Sequence, residues 1–226
     1  METPPFQTTV QGPPSTKPST QRIFNEIRRS LAGISEYTEI VYPLSSDDAG
    51  LICRSLSADA ELERKNLRIN YNAYTGLLRL KIMPISLHDV HQRWINRALV
   101  QWGMTGIINS DEADLLWSGS GTTFDNFTGV YQGSIKQPDH YLRVDTDDDP
   151  RIVVESGWSE SFIHLRSDKT LWLKGNPSVV LVILLKWSAL SYNRIKGSAE
   201  VWRRGSTGNL VSSTMVIIYL RPRRDS

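Results

Sequence analysis

Arg151-Ile152-Val153-Val154-Glu155 leads into a helical stretch from Ser159 to Trp172, then the stop Gly175-Asn176-Pro177, then Val179 to Trp187. The first segment is a strand, because Ile152, Val153 and Val154 are β-branched and apolar without alternation, the pattern of a strand covered on both faces. The middle segment carries Phe162, Ile163, Leu165, Leu171 and Trp172 at near-helical spacing, with Ser159 as its N-cap. The last is an interior strand. A strand–helix–strand unit of this length closes as a right-handed parallel crossover. The fold class is therefore α/β, a sheet with helices on its faces, and not a barrel of regular hairpins.

Upstream, Leu87 to Trp102 reads as an amphipathic helix, with Val90, Trp94, Leu99 and Trp102 near one face and Gly103 and Gly106 ending it. Trp94, Trp102 and Trp172 are expected in the core. Short strands follow at Leu115-Leu116-Trp117 and within Gly129 to Val144, so the order from Leu87 is helix, three strands, helix, strand. Asn66 to Met83 is a hairpin turning at Asn72 to Gly76. Further back, Ser19 or Thr20 caps a helix through Leu31, with Ile23, Ile27 and Leu31 on one face. Val41 to Leu44 is extended, and Ser45 to Gly50 is expected as a polar turn. Two more strands, near Ala199 to Arg203 and Thr214 to Leu220, complete the sheet. Residues 1–20, with Pro4, Pro5, Pro13, Pro14 and Pro18, form a disordered tail. Residues 21–220 form a single domain with its core at about 66–190, and 221–226 a basic tail.

Bulk properties narrow the class. The chain has 226 residues, 39% of them hydrophobic and 22% charged, which suits one soluble domain. Its longest apolar run, Val179 to Leu185, is too short to span a bilayer. No basic-then-apolar secretory pattern opens the sequence, so a cytosolic or nuclear location is expected. Cys53 is the single cysteine, which removes internal disulfides and thiolate metal clusters. A net charge of +2 gives little non-specific attraction to nucleic acid, although Arg28-Arg29, Arg203-Arg204 and the terminal Arg221 to Arg224 are locally basic.

Two carboxylates carry the chemistry. Asp139 closes Lys136-Gln137-Pro138-Asp139 at the head of one extended segment, and Glu155 ends the Ile-Val-Val run of the next. Mg²⁺ prefers oxygen ligands and takes few from protein, so two acids on neighbouring strands can hold one such ion. The plainer alternatives are a turn Asp that satisfies backbone groups and a Glu paired with a cation. His88 and His91 stand three apart without a third nitrogen or sulfur ligand, which suits capping better than zinc. Asp147-Asp148-Asp149 is a solvated turn, since it lacks the calcium-loop spacing. Ser159 and Ser161 lack a nucleophile-elbow frame. Trp158, beside Glu155, either packs or stacks on a base.

These residues, with Val153-Val154-Glu155-Ser156-Gly157-Trp158-Ser159-Glu160-Ser161, Leu165, Asp168, Leu171-Trp172-Leu173 and Leu184-Leu185-Lys186, resemble the PD-(D/E)XK superfamily of restriction-endonuclease-like nucleases, and its fungal branch in particular. Met83 to His88 adds to the likeness, which covers about residues 66–190. The resemblance implies a restriction-endonuclease-like mixed sheet and a Mg²⁺- or Mn²⁺-dependent phosphodiesterase acting on nucleic acid, DNA ahead of RNA. It implies Asp139, Glu155 and the main-chain carbonyl of Ser156 as metal ligands. The family's lysine, two residues after the acid, is here Gly157. Lys186 and Lys136 are the substitutes, Lys186 preferred, and Asp89 with His88 and His91 lies on the helix that could add an acid. A nuclease-like domain retained for binding or assembly, or a metal enzyme acting on a small molecule, are the other readings. A homodimer is compatible with all three.

Overall fold

The computed structural model describes residues 18–34, 37–82, 85–158, 162–191 and 194–220. The tails at 1–17 and 221–226 and the Ser159 cap lie outside them, as do the side chains of His88, Asp89 and His91. The chain is α/β and builds two sheets. One has four strands in the order β1-β3-β2-β5, formed by β1 Thr38–Pro43, β2 Leu67–Asn72, β3 Leu77–Ile82 and β5 Ile135–Lys136, all antiparallel. The other has six in the order β10-β9-β8-β7-β6-β4: β4 Leu116–Gly119, β6 His140–Val144, β7 Ile152–Trp158, β8 Leu181–Leu190, β9 Arg194–Arg204 and β10 Leu210–Leu220.

The crossover forms as its sequence predicts. β7 and β8 are parallel, with Glu155 beside Leu184 and Gly157 beside Lys186, and α6 Phe162–Gly175 joins them. Trp172, Leu165 and Leu171 of α6 bury against Val153, Val182 and Leu184 on one sheet face. On the other face α4, Ile85–Met104, lays Ile95 and Leu99 against Val154, Leu185 and Trp187. Trp94 departs from expectation. It is 46% exposed, because the covered stripe of α4 runs through Ile95 and Leu99 instead.

The four-stranded sheet carries its own helices, α1 Thr20–Leu31, α2 Ser46–Ser57 and the short α3 Ala60–Arg64. Ser19 caps α1, as read from the sequence. The stretch expected as a polar turn is instead the start of α2. Ser45 is its N-cap residue and Asp47 and Asp48 fill its first turn, where acids complement the helix dipole. Ala49, Ile52, Cys53 and Leu56 then form the stripe that packs on Ile69, Tyr71, Leu78 and Leu80. A short helix, α5 Ser110–Asp114, precedes β4 and opens with a capping box between Asn109 and Glu112.

The hairpin β2–β3 is where expectation and placement diverge in meaning. Its alternation is clear, with Ile69, Tyr71, Leu78, Leu80 and Ile82 facing the helices. The opposite face holds Arg68, Asn70, Arg79 and Lys81, with Lys136 of β5 beside Asn70. In a half-exposed hairpin these would meet water. Here Arg68, Asn70, Lys81 and Lys136 are all buried, because this face lies against the six-stranded sheet and α6.

Candidate active site

The seam between the two sheets gathers the charged residues. Asp139 stands one residue before β6, and the β6–β7 register (His140 opposite Val154) sets it across from Glu155. Both carboxylates are about 1% exposed. The Ser156 N–H donates to Asp139 Oδ2 at 2.7 Å. Lys81 Nζ, reaching over from β3, lies 2.7 Å from the same Oδ2 and 2.9 Å from the Ser156 carbonyl oxygen. The indole of Trp172 donates to Glu155 Oε1 at 2.7 Å, and Lys136 Nζ lies 3.2 Å from that oxygen. Glu155 Oε2 is buried and receives no hydrogen bond from the described residues.

Asp168 of α6 completes the group. It pairs with Lys136 Nζ at 3.0 Å and with Arg79. Arg79 also approaches Glu39, whose Oε1 is 3.0 Å from His164 Nδ1. Arg68 feels both Asp139 and Glu155. The seam thus sets Arg68, Arg79, Lys81 and Lys136 against Glu39, Asp139, Glu155 and Asp168, a formally neutral layer. Neutrality is what lets charge persist there, since isolated ions in such a setting cost several kcal/mol each.

Burial acts most on Lys136. Desolvation draws its pKa down from the ordinary lysine range to about 7; Glu155 opposes the shift, while Arg79 and Lys81 add to it. Burial also lowers the Arg68 guanidinium, and Asp139 and Glu155 hold it partly back.

Of the residues singled out in the sequence, Asp139, Glu155, Ser156 and Lys136 meet at this seam. Lys186 lies apart from their contacts. It projects from β8 on the same sheet face as Glu155, two residues further along, with its ammonium 5.3 Å from the Phe162 ring centroid. Lys81, Arg79 and Asp168 were not assigned roles from sequence. Asp168 carried a signal, as an acid inside the apolar stripe of Leu165, Leu171 and Trp172. Lys81 and Arg79 carried none, because alternation alone does not say what covers a polar face.

Asp139, Glu155 and the Ser156 carbonyl form an all-oxygen donor set of the kind Mg²⁺ takes, and the unbonded Glu155 Oε2 fits a cation. Lys81 competes for two of these three donors. Among the described residues no group of three or more His, Cys, Asp or Glu side chains is placed to share a metal. The free volume beside Lys81, Arg79, Ser156 and Asp168 is about 10 Å³, enough for a water and not for a phosphate.

No family model, curated protein or solved structure matches the chain. Among the described residues no helix is long and apolar enough to cross a membrane.

Proposed function

We propose that the chain is a metal-dependent phosphodiesterase of the PD-(D/E)XK type that hydrolyses nucleic acid, with DNA as the first substrate to test. The reading is carried by one observation: Asp139 and Glu155 face each other across antiparallel strands, with a lysine ammonium on each. The order α4-β4-β6-β7-α6-β8, with its parallel β7–β8 crossover, supports a restriction-endonuclease-like core. Asp139, Glu155 and the Ser156 carbonyl would hold a Mg²⁺ or Mn²⁺ ion, which when bound lowers the pKa of water and offsets charge on a phosphate.

The remaining steps belong to the chain. Trp172 fixes the Glu155 carboxylate by its indole hydrogen bond. The Ser156 N–H fixes that of Asp139. Lys136, with its pKa near 7, can exchange a proton close to neutrality beside Glu155. This takes the place of the lysine replaced by Gly157, and it favours Lys136 over Lys186, which rests against Phe162. Lys81, which holds Asp139 Oδ2 and the Ser156 carbonyl, must swing aside for a phosphate to reach Asp139.

Hydrolysis of single- and double-stranded DNA and RNA in Mg²⁺ or Mn²⁺ tests the reading. Asp139→Ala and Glu155→Ala are each expected to abolish turnover, and turnover surviving both removes the assignment. The second reading, a nuclease-like domain kept for binding or assembly, is favoured by Lys81 sitting on two candidate metal donors. It predicts no turnover in the unsubstituted chain and no Mn²⁺ uptake until Lys81→Met frees those donors.

A further inference from the structure

A cavity of about 460 Å³ opens at the same seam, beside the acid pair. One wall is the end of α2 and the start of β2, with Ser57, Asn66, Arg68 and Ile69; the other is the loop after β4, with Gly121 and Thr123. Gln137 forms the back, two residues from Asp139. Its volume lies within the range of small-molecule sites.

The walls are polar and fixed. The Gln137 side chain accepts from the Ile69 N–H at 3.0 Å and donates to Thr123 Oγ1 at 2.8 Å, while its own N–H donates to Asn70 Oδ1 at 3.2 Å. Arg68 is 8% exposed, and its guanidinium lies against the Gly121 backbone. A Cβ at position 121 would stand 3.3 Å from Arg68 Nη1, and Gly121 has φ +73°, so only glycine suits this approach. Asp139 and Glu155 favour the charged form of Arg68 from behind. The site offers one planar cation at its floor, side-chain hydroxyls and amides, a little apolar surface from Leu56, Leu67 and Ile69, and one carboxylate, the exposed Glu63 of α3, at its rim.

We infer that this cavity is a phosphate subsite that takes one nucleotide of the substrate, with its phosphate on Arg68 and its sugar against the hydroxyl and amide wall. A guanidinium is the side chain best matched to phosphate oxygens. Gln137 links the cavity to Asp139 through two residues, so a nucleotide held here neighbours the phosphodiester at the acid pair. The inference rests on the nuclease reading for its substrate class, yet its binding step needs neither metal nor turnover.

The experiment is calorimetric titration of thymidine 5′-monophosphate and of inorganic phosphate into the full chain in EDTA. The nucleotide is expected to bind at one site, more tightly than phosphate. Arg68→Gln is expected to weaken it by about tenfold or more, the scale of one charge-assisted hydrogen bond. Because Arg68 is buried, Ser57→Trp provides a second variant; it fills the cavity from its exposed rim, leaves the charged seam intact, and is expected to abolish binding. No nucleotide binding, unchanged binding in a folded Ser57→Trp, or phosphate binding as tightly as the nucleotide would each overturn the inference. Loss of the nuclease reading alone would show as binding at Arg68 with no turnover.

Discussion

Lys136 is the residue on which the site turns. It is fully buried, yet its ammonium meets Glu155 and Asp168 at 3.2 and 3.0 Å. A buried ion pair adds little over an apolar replacement of the whole pair, but removing one partner strands the other. Lys136→Met is therefore expected to destabilise the fold by about 3–5 kcal/mol. Adding Glu155→Gln should recover part of that loss, since the stranded charge goes with it; chemical denaturation of the single and double variants measures both. Trp172→Phe keeps an aromatic ring but drops the bond to Glu155 and leaves a void where the pyrrole half of the indole sat, for an expected cost of about 2–4 kcal/mol. In the sequence Glu155 was visible as an acid ending an apolar run and Asp139 as the acid of a Pro-Asp pair heading the neighbouring strand, whereas Lys136 entered only as a stand-in for the lysine that the resemblance expects at Gly157. Lys186 ranked ahead of Lys136 there, because a lysine closing an apolar strand looks buried, whereas its ammonium reaches the Phe162 ring and not the acids.

At the scale of elements, the readable ones were those whose period matched their burial. α1, α4, the β7–α6–β8 crossover and the hairpin all followed from spacing. α2 did not, because its first turn, Ser46-Asp47-Asp48, has turn composition and its apolar stripe begins only at Ala49. The polar face of the hairpin misled in another way. Alternation gave the correct register, but it cannot tell water from a second sheet. Cys53 offers a test of how well α2 is sealed. Burial pushes its thiol up from 9.0 to about 12. Between those values the unfolded chain releases a proton that the folded chain keeps. The thiol's contribution is thus complete below pH 9 and is lost as pH rises toward 12, by about 1.4 kcal/mol per pH unit at most. Across pH 8 to 11 the denaturation midpoint is expected to fall more steeply for the unsubstituted chain than for Cys53→Ala. Parallel profiles would mean that the thiol is not sealed.

For the molecule as a whole, the charged seam is what makes two sheets one body. The helices of the first sheet bury its apolar face, and α4 and α6 bury both faces of the second, so each layer holds its own core. Between the layers run Lys81 to Asp139, Arg79 and Lys136 to Asp168, and Lys136 to Glu155. The chain carries separate reporters for the two sides. All seven tryptophans lie at position 94 or beyond, in or around the second layer, and Cys53 lies in the first. If the seam couples the layers, unfolding by guanidinium followed by tryptophan fluorescence and by Cys53 labelling should give one coincident midpoint. Lys81→Met removes the ammonium from Asp139 Oδ2 and from the Ser156 carbonyl, and it touches neither apolar core. In that variant Cys53 is expected to become reactive at lower denaturant than the fluorescence change. Midpoints that differ already in the unsubstituted chain, or that stay together in Lys81→Met, would mean that packing elsewhere, and not the paired charges, holds the layers in register.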